Sequence, residues 1–162
     1  MSPFRTAELD WISNDLDKNR YPVTARPVPG VRFECPCCGY PTLEERGGYE
    51  NCELCDWEDD GQDNVDADRV MGGPNYELSL ASARENFKRH LEKHAPTSKR
   101  FRETTIREAD AKRQVMAAFD ALRGGAPDKA RLWQEICEGE QVLREELHRR
   151  VQAIVIAAKA RR

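Results

Sequence analysis

The sequence predicts an α+β fold: a small β-hairpin domain with flanking helices, followed by a C-terminal antiparallel helical hairpin. Two observations support this prediction. Residues 31–58 contain short segments separated by glycine, proline and cysteine, which favours strands and turns. Residues 79–91 and 104–160 instead repeat apolar residues at helical spacing. We therefore divide the 162 residues into an N-terminal helix with a proline-rich connector (1–29), the hairpin domain (30–96) and the helical hairpin (97–162).

A short helix is predicted near the N-terminus, where Leu9, Ile12 and Leu16 form one apolar stripe. This stripe is expected to lie against the body of the protein. Three prolines within residues 21–30 then favour an extended connector over a helix. Val31–Glu34 alternates in the manner of a short strand.

Four cysteines form two Cys-x-x-Cys pairs, Cys35/Cys38 and Cys52/Cys55, with thirteen residues between the inner members. This is the spacing of a four-thiolate zinc site, because each tight turn can direct two thiolates at one ion. We therefore predict a structural Zn²⁺ held by these four residues, and hence a zinc-ribbon-like domain. Iron or a redox disulfide are the alternatives that the pattern leaves open.

The segment between the two pairs is predicted to form a hairpin. Residues 42–45 and 49–51 flank the sequence Arg46-Gly47-Gly48, which is typical of a turn. Such a hairpin would bring one cysteine pair into register with the other. Cys37 is an additional thiol, and the sequence leaves open whether it replaces Cys38, stays free or packs.

Ser79 is the predicted N-cap of the next helix. The stripe of this helix consists of Leu80, Ala83, Phe87 and Leu91. We expect it to close the core together with Trp57 and Tyr49. His90 and His94 lie four residues apart, but no glutamate stands where a metalloprotease motif requires one, so they are predicted to lie at a solvated helix end.

Two further stripes, separated by Gly124 and Gly125, predict the helical hairpin over residues 104–160. The first consists of Ile106, Ala109, Met116, Phe119 and Leu122. The second consists of Leu132, Ile136, Leu143, Leu147, Val151, Ile154 and Ala158, with Pro127 in the first turn of its helix. Because two helices alone bury only part of their apolar surface, the hairpin should dock on the ribbon or on a partner.

The stretch from about Val31 to Leu91 resembles the bacterial cysteine-rich CPCC domain family. The resemblance depends on four motifs in order: CPCCGY, TLEERGGYE, CxxCxWEDDG and SLASARENF. It implies a zinc-binding domain without an established reaction, in some cases encoded near toxin–immunity loci. The N- and C-terminal parts of the chain have no counterpart in this resemblance.

Acidic residues are concentrated between positions 50 and 68, where nine occur without any lysine or arginine. Such a surface repels phosphate and attracts basic groups. We therefore predict a non-catalytic module that binds a protein partner, a toxin or another basic protein, as an immunity or antitoxin protein does. The candidate partner-binding residues are Glu50, Glu53, Glu58, Asp59, Asp60 and Asp63.

Two other functions are alternatives. The whole chain carries a net charge of −3, but residues 99–162 carry +5. This positive charge would suit nucleic-acid binding by the C-terminal arm. The sequence Cys35-Pro36-Cys37-Cys38 is similar to a glutaredoxin C-P-x-C motif, but Gly39 and Pro41 interrupt the helix that such a motif needs. No phosphate loop, dinucleotide fingerprint or nucleophile elbow is found, so no enzyme is predicted.

The sequence also bears on location in the cell. No apolar run approaches the roughly 18 residues of a membrane span. The first residues lack the apolar core of a signal peptide. Together with the prediction of reduced thiols, this predicts a cytoplasmic protein.

Overall fold

The computed structural model describes residues 32–160. The predicted N-terminal helix and the proline-rich connector lie outside the described residues. The elements are β1 (Phe33–Glu34), β2 (Pro41–Leu43), α1 (Leu80–His90), α2 (Ile106–Arg123) and α3 (Lys129–Lys159). The predicted α+β fold, with one small antiparallel hairpin and a packed pair of C-terminal helices, is confirmed.

The hairpin forms between different segments from those predicted. β2 pairs with β1, with Phe33 opposite Leu43, and not with residues 49–51. Asn51 pairs instead with Glu58 across the second cysteine pair. The glycine-rich turn at residues 46–48 suggested a hairpin between its two flanks, but the turn is held by the Asp59 carboxylate. This carboxylate accepts hydrogen bonds from Arg46 Nε and Gly47 N, both at 2.8 Å.

The loop between the second cysteine pair and α1 is held by two buried amide side chains. Gln62 Nε2 donates to the carbonyl oxygens of Asp66 and Arg69, at 3.1 and 2.9 Å. Asn75 accepts from Glu58 N at 3.2 Å and donates to Glu58 O at 2.8 Å. These bonds satisfy backbone groups that lack a ladder partner, so the segment is ordered with little regular structure.

α1 begins as predicted. The Ser79 hydroxyl accepts a hydrogen bond from Ser82 N at 3.2 Å, which caps the helix. Leu80, Ala83 and Phe87 are buried. The helix ends at His90, because Leu91 adopts a left-handed conformation with φ 55°. His94 therefore lies outside the helix, and the two histidines do not share a helical face.

The prediction for His94 is wrong, because the chain turns inward after α1. His94 is buried, lies beyond the helix, and has no hydrogen-bond partner at Nδ1. Burial, with the neighbouring Lys93 charge, lowers the pKa of His94. His90 instead stacks edge-on against Phe101, with 6.2 Å between the ring centroids.

The core of the cysteine-rich part surrounds Trp57. Trp57, Leu43, Leu54 and Leu80 are completely buried, which confirms the predicted role of Trp57. The same prediction is wrong for Tyr49, which is 61% exposed. Tyr49 has a positive φ of 60° and donates its backbone N–H to Asp59 O, an arrangement that turns its side chain outward.

α2 spans the predicted region, and its predicted apolar stripe is correct at Phe119 but wrong at Ile106. Thr105 caps it, and Gly124 ends it. Ala111, Val115 and Phe119 are buried, whereas Ile106 is 83% exposed. The face is set by close contact with α3, where Gly139 lies against Val115 and allows the two helices to approach.

α3 begins after Pro127, which was predicted to lie in the first turn of the helix. Asp128 is the N-cap, and the first helical residue is Lys129. Its predicted stripe is correct through Leu132, Ile136 and Leu143, which are buried. Beyond Leu143 the side chains of the stripe are half-buried or exposed. Among the described residues, no helix has both the length and the apolar content that a membrane crossing requires.

The helical hairpin docks on the cysteine-rich part, as one of the two sequence alternatives anticipated. Arg144 Nη1 bonds both carboxylate oxygens of Glu53, at 2.9 and 3.0 Å. Arg32 forms a buried two-bond ion pair with Glu140 in α3. Tyr40 packs on Phe119 with 6.1 Å between the ring centroids. Ion pairs and one aromatic contact thus join the two halves of the molecule.

Candidate metal centre

The four predicted cysteine ligands converge. The Sγ atoms of Cys35, Cys38, Cys52 and Cys55 all lie within 4.8 Å of one another. The closest approaches are 3.6 Å between Cys35 and Cys55 and 3.6 Å between Cys38 and Cys52. Each of these close pairs takes one cysteine from each Cys-x-x-Cys motif. Three of the four side chains are buried and Cys38 is half-buried.

The spacing of the sulfur atoms fits a tetrahedral metal. A Zn–S bond of about 2.3 Å places two thiolates of a regular tetrahedron about 3.8 Å apart. A disulfide would require a separation of about 2.05 Å, and all four cysteines are free thiols. Among residues 32–160 this is the one group of three or more side chains that meets the geometry of a metal site. Its soft sulfur donors favour metals that bind thiolates.

Both Cys-x-x-Cys motifs fold into the same tight turn. Cys35 N donates to Tyr40 O and Cys52 N donates to Trp57 O, each at 2.9 Å. The residue after each second cysteine then takes a positive φ, 77° at Gly39 and 63° at Asp56. Glycine adopts this conformation without strain, whereas aspartate is one of the few other residues that tolerates it. Two copies of one turn, facing each other, therefore build the four-sulfur cluster.

The position of Cys37 answers a question that the sequence left open. Cys38 belongs to the four-sulfur cluster, and Cys37 does not. Cys37 is buried beside this cluster as a free thiol. Because Cys35 and Cys38 lie three residues apart in the turn, they match the spacing of Cys52 and Cys55, which Cys37 would break.

The four thiols perturb one another strongly. Burial raises the pKa of Cys52, but hydrogen bonds from the other three thiols and from Thr42 outweigh it, and the net pKa is well below the usual range. Hydrogen bonds to the other thiols and burial raise the pKa of Cys38. Burial also raises the pKa of Cys55. Among the four thiols the thiolate form is therefore most favoured at Cys52, and binding of a metal by all four would release the protons of the others.

Two buried or half-buried cations lie against the turns, and sequence reasoning missed both. Arg84 Nε donates to Pro36 O at 2.8 Å, and Lys93 Nζ donates to Asp56 O. A divalent metal with four thiolates has a net charge of about −2, which nearby cations and N–H or O–H donors stabilise. The Thr42 hydroxyl lies within hydrogen-bond distance of Cys52 Sγ, at 3.0 Å. The signal in the sequence is weak, since all three residues lie outside the cysteine motifs.

Two of the six acidic residues proposed for partner binding are engaged inside the protein. Asp59 is completely buried and forms an ion pair with Arg46 at 2.8 Å. It is therefore not part of an exposed face, because it organises the turn at residues 46–48. The Glu53 side chain is 15% exposed and is paired with Arg144.

The other four acidic residues lie closer to solvent. Asp63 is half-exposed, caps a single helical turn and lies 3.2 Å from Arg46. Asp60 accepts hydrogen bonds from Gln62 N and Asn75 Nδ2. Glu50 is half-buried and accepts from Glu44 N at 2.6 Å. Burial raises the pKa of Glu58.

A family model described as "Cysteine-rich CPCC" matches residues 33–108. The match begins at β1, includes all four clustered cysteines, and extends 17 residues beyond the Leu91 limit of the predicted resemblance, into the first turn of α2. No curated protein and no solved structure matches the chain. Residues 33–108 therefore resemble the cysteine-rich CPCC family, as the motifs predicted, while the parts of the chain before and after them are unmatched.

Proposed function

We propose that the cluster of Cys35, Cys38, Cys52 and Cys55 holds a structural Zn²⁺. The observation that carries the proposal is the convergence of four free thiols within 4.8 Å. Zinc binds such tetrahedral all-sulfur sites, and the metal would join two turns that share little other regular structure. In small domains a structural zinc contributes about 10–16 kcal/mol of apparent binding free energy, which is folding free energy.

We further propose that this centre is not catalytic. Four thiolates fill all the positions of tetrahedral zinc, so that none is left for water or substrate. Thiol redox catalysis is disfavoured for a related reason. A reactive cysteine needs a lowered pKa and access to solvent, whereas Cys35 is buried and its pKa is raised by hydrogen bonds to Cys52 and Cys55 and by burial, which outweigh an opposing bond to Cys38.

The function that remains is recognition by a surface, and we propose a protein partner that presents basic groups. The outward acidic residues of the segment 50–68 support this choice, because neighbouring negative charges attract a basic surface. Asp68 is exposed and extends this set beyond the six predicted residues. The family resemblance is compatible with an immunity- or antitoxin-type role.

Binding of nucleic acid by the helical arm is less well supported. The arginines of the arm are largely paired with carboxylates: Arg107 with Glu145 and Glu146, Arg150 with Glu108. A paired guanidinium is a poor phosphate ligand, since its charge is already neutralised.

The zinc proposal is tested by elemental analysis of the purified protein with two matched variants. We expect one zinc per chain in the native protein and in Cys37→Ser. We expect little or none in Cys38→Ser, because only Cys38 belongs to the cluster. A cobalt-substituted sample should show the charge-transfer absorption of thiolate ligands. Zinc retained by Cys38→Ser but lost from Cys37→Ser would contradict the assignment.

The partner proposal is tested by capture from a native lysate. We compare the native protein with Asp63→Asn/Asp68→Asn, in which asparagine at position 63 still caps its turn. Glu103→Gln/Asp110→Asn removes the same charge from two exposed positions of the arm region and is the control. A basic protein captured by the native chain and the control, but not by the first variant, is the expected result. Capture of nucleic acid, or equal capture by all three, would refute the proposal.

A further inference from the structure

α3 extends well beyond the helix that it packs against. α2 has 18 residues and α3 has 31. The first turn of α2 meets α3 where Arg107 bonds Glu145 and Glu146, and where Glu108 bonds Arg150 at 2.7 Å. The nine residues from Val151 to Lys159, about 13 Å of helix, therefore project past the start of α2. We call residues 147–160 the α3 extension.

The α3 extension continues the apolar stripe that packs on α2 lower down. Leu147, Val151 and Ile154 follow Leu143 at helical spacing. Leu143 is buried, whereas Leu147 is 37% and Ile154 is 51% exposed. Ile156, on another side of the helix, is 67% exposed. Val151, between Leu147 and Ile154, is half-buried. Apolar side chains that stay exposed along one face of a helix mark a surface that another element can cover.

We propose that residues 6–18 of the same chain cover the α3 extension. In the sequence these residues carry an apolar stripe of matching kind, Leu9, Ile12 and Leu16, with Trp11 beside it. This segment lies outside the described residues. Its placement is supported by the exposed face of α3, by the position at which the described chain begins, and by the charges of the two segments.

The described chain begins beside α3. Arg32 is held by Glu140 and lies over the ring of Trp133, 5.6 Å from its centroid. Ile154 is fourteen residues along the helix from Glu140, a distance of about 21 Å. Residues 19–31, which include the proline-rich stretch, span about 40 Å when extended at roughly 3.1 Å per residue. The chain is thus fixed beside α3 at Arg32, and residues 19–31 are long enough for residues 6–18 to reach the α3 extension.

The charges of the two segments are complementary. Residues 6–18 contain four acidic residues and one lysine, for a net charge of −3. Residues 147–162 contain five lysines and arginines and no acidic residue. Arg149 and Arg150 pair with Glu146 and Glu108 inside the arm, so the net charge of +3 that remains comes from Lys159, Arg161 and Arg162. Packing the N-terminal segment on the extension therefore pairs opposite charges. Packing the extensions of two copies against each other would bring like charges together, which favours the intramolecular occupant.

Hydrogen exchange of the full-length protein tests this proposal. We compare Ile12→Asp, which places a charge on the N-terminal stripe, with Asn14→Asp, which adds the same charge off the stripe. We expect amides of residues 151–158 to exchange about tenfold faster in Ile12→Asp than in the native protein, and at the native rate in Asn14→Asp. The rates should be independent of protein concentration.

The reciprocal experiment places the change on the described helix. Ile154→Asp should speed exchange at residues 8–16 by about tenfold, whereas Ala153→Asp, at an exposed position beside it, should not. Equal rates in all of these variants would overturn the proposal, and so would equal acceleration by each charged substitution. Protection of residues 151–158 that grows with protein concentration, together with a dimer in sedimentation, would also overturn it and assign the surface to a second copy.

Discussion

The cysteine-rich part and the helical arm of this molecule are ordered by opposite means. Residues 33–78 contain five residues of β-strand, and their order depends on the four clustered thiols and on buried polar side chains such as Gln62 and Asn75. The arm consists of two helices that pack through apolar side chains and a close approach at Gly139. Removal of one stabilising factor should therefore affect the two regions very differently.

Metal removal should produce the largest difference. We expect a chelator to abolish protection from hydrogen exchange at residues 41–59, because the roughly 10–16 kcal/mol that a structural zinc contributes is comparable with the whole stability of a typical domain, about 5–15 kcal/mol. Residues 129–143 should keep most of their protection, and added zinc should restore the rest. The same chelator saturated with zinc is the control. Simultaneous loss of protection in both regions would show that they unfold as one unit. It would refute the claim that the two regions are stabilised independently.

Breaking the buried ion pair between the two regions should have the next largest effect. The Arg32 side chain is 8% exposed and that of Glu140 is 1% exposed. Glu140→Gln leaves the Arg32 charge buried without a charged partner, and we expect it to lower the free energy of unfolding by about 3–5 kcal/mol. Urea denaturation measures this loss.

The control is Glu135→Gln on the same helix. Glu135 pairs with Arg131 at the surface, and the loss of that pair should cost less than about 1 kcal/mol. Arg32→Met/Glu140→Leu, which removes both charges, should recover most of the stability lost in Glu140→Gln. Equal costs for the two glutamine variants would mean that the joint between the regions contributes no more than a surface pair.

The close approach of the two helices should show a smaller effect, confined to the arm. A Cβ atom at Gly139 would overlap a methyl group of Val115 and lie 3.3 Å from Ala111 O. Gly139→Ala should therefore destabilise the protein by about 1–3 kcal/mol, despite the better helix propensity of alanine. Val115→Ala/Gly139→Ala should be more stable than the sum of the single effects predicts. Zinc content should stay at the native value in both variants.

The smallest expected effect is a pH dependence from His94. Its folded-state pKa is lowered by burial and by the Lys93 charge, so the unfolded chain binds the proton more readily. The stability that neutral His94 contributes is complete above the unfolded pKa of about 6.5 and declines as the pH falls below it. When the pH is lowered from 7 to 5.5, we expect the free energy of unfolding to fall less in His94→Gln than in the native protein. The difference between the two falls should be under about 1 kcal/mol. The same pH dependence of the free energy of unfolding in both proteins, measured by urea denaturation across this range, would contradict the assignment.

The elements predicted correctly are those specified by local chemistry. Four cysteines at two matched spacings identified the cluster, since each tight turn brings its own two thiols together. Ser79 and Gly124 marked helix ends through capping interactions within a few residues. The buried stripe of α3 was also correct where α2 lies against it.

The errors share a different cause, which is contact between distant parts of the chain. Asp59 was assigned to an exposed face because it lies in an acidic run, but Arg46 draws it inside. Ile106 was placed in the core by its spacing, but the face of α2 is fixed by Gly139, more than thirty residues later. His94 was placed on a solvated helix end because a left-handed residue at position 91 cannot be inferred from helical spacing. Charge runs and periodicity do not specify which neighbour a residue will meet.

The pairing of Arg32 with Glu140 also has a consequence for biosynthesis. The two residues are separated by 108 positions in the chain. At a translation rate of about 5–20 residues per second, the ribosome adds Glu140 roughly 5–20 s after Arg32. Both cysteine turns are synthesised long before Glu140, so the four thiols are already present in the nascent chain while the Arg32 guanidinium still lacks the carboxylate that it pairs with. Docking of the arm through this ion pair is thus a late event in the synthesis of each molecule.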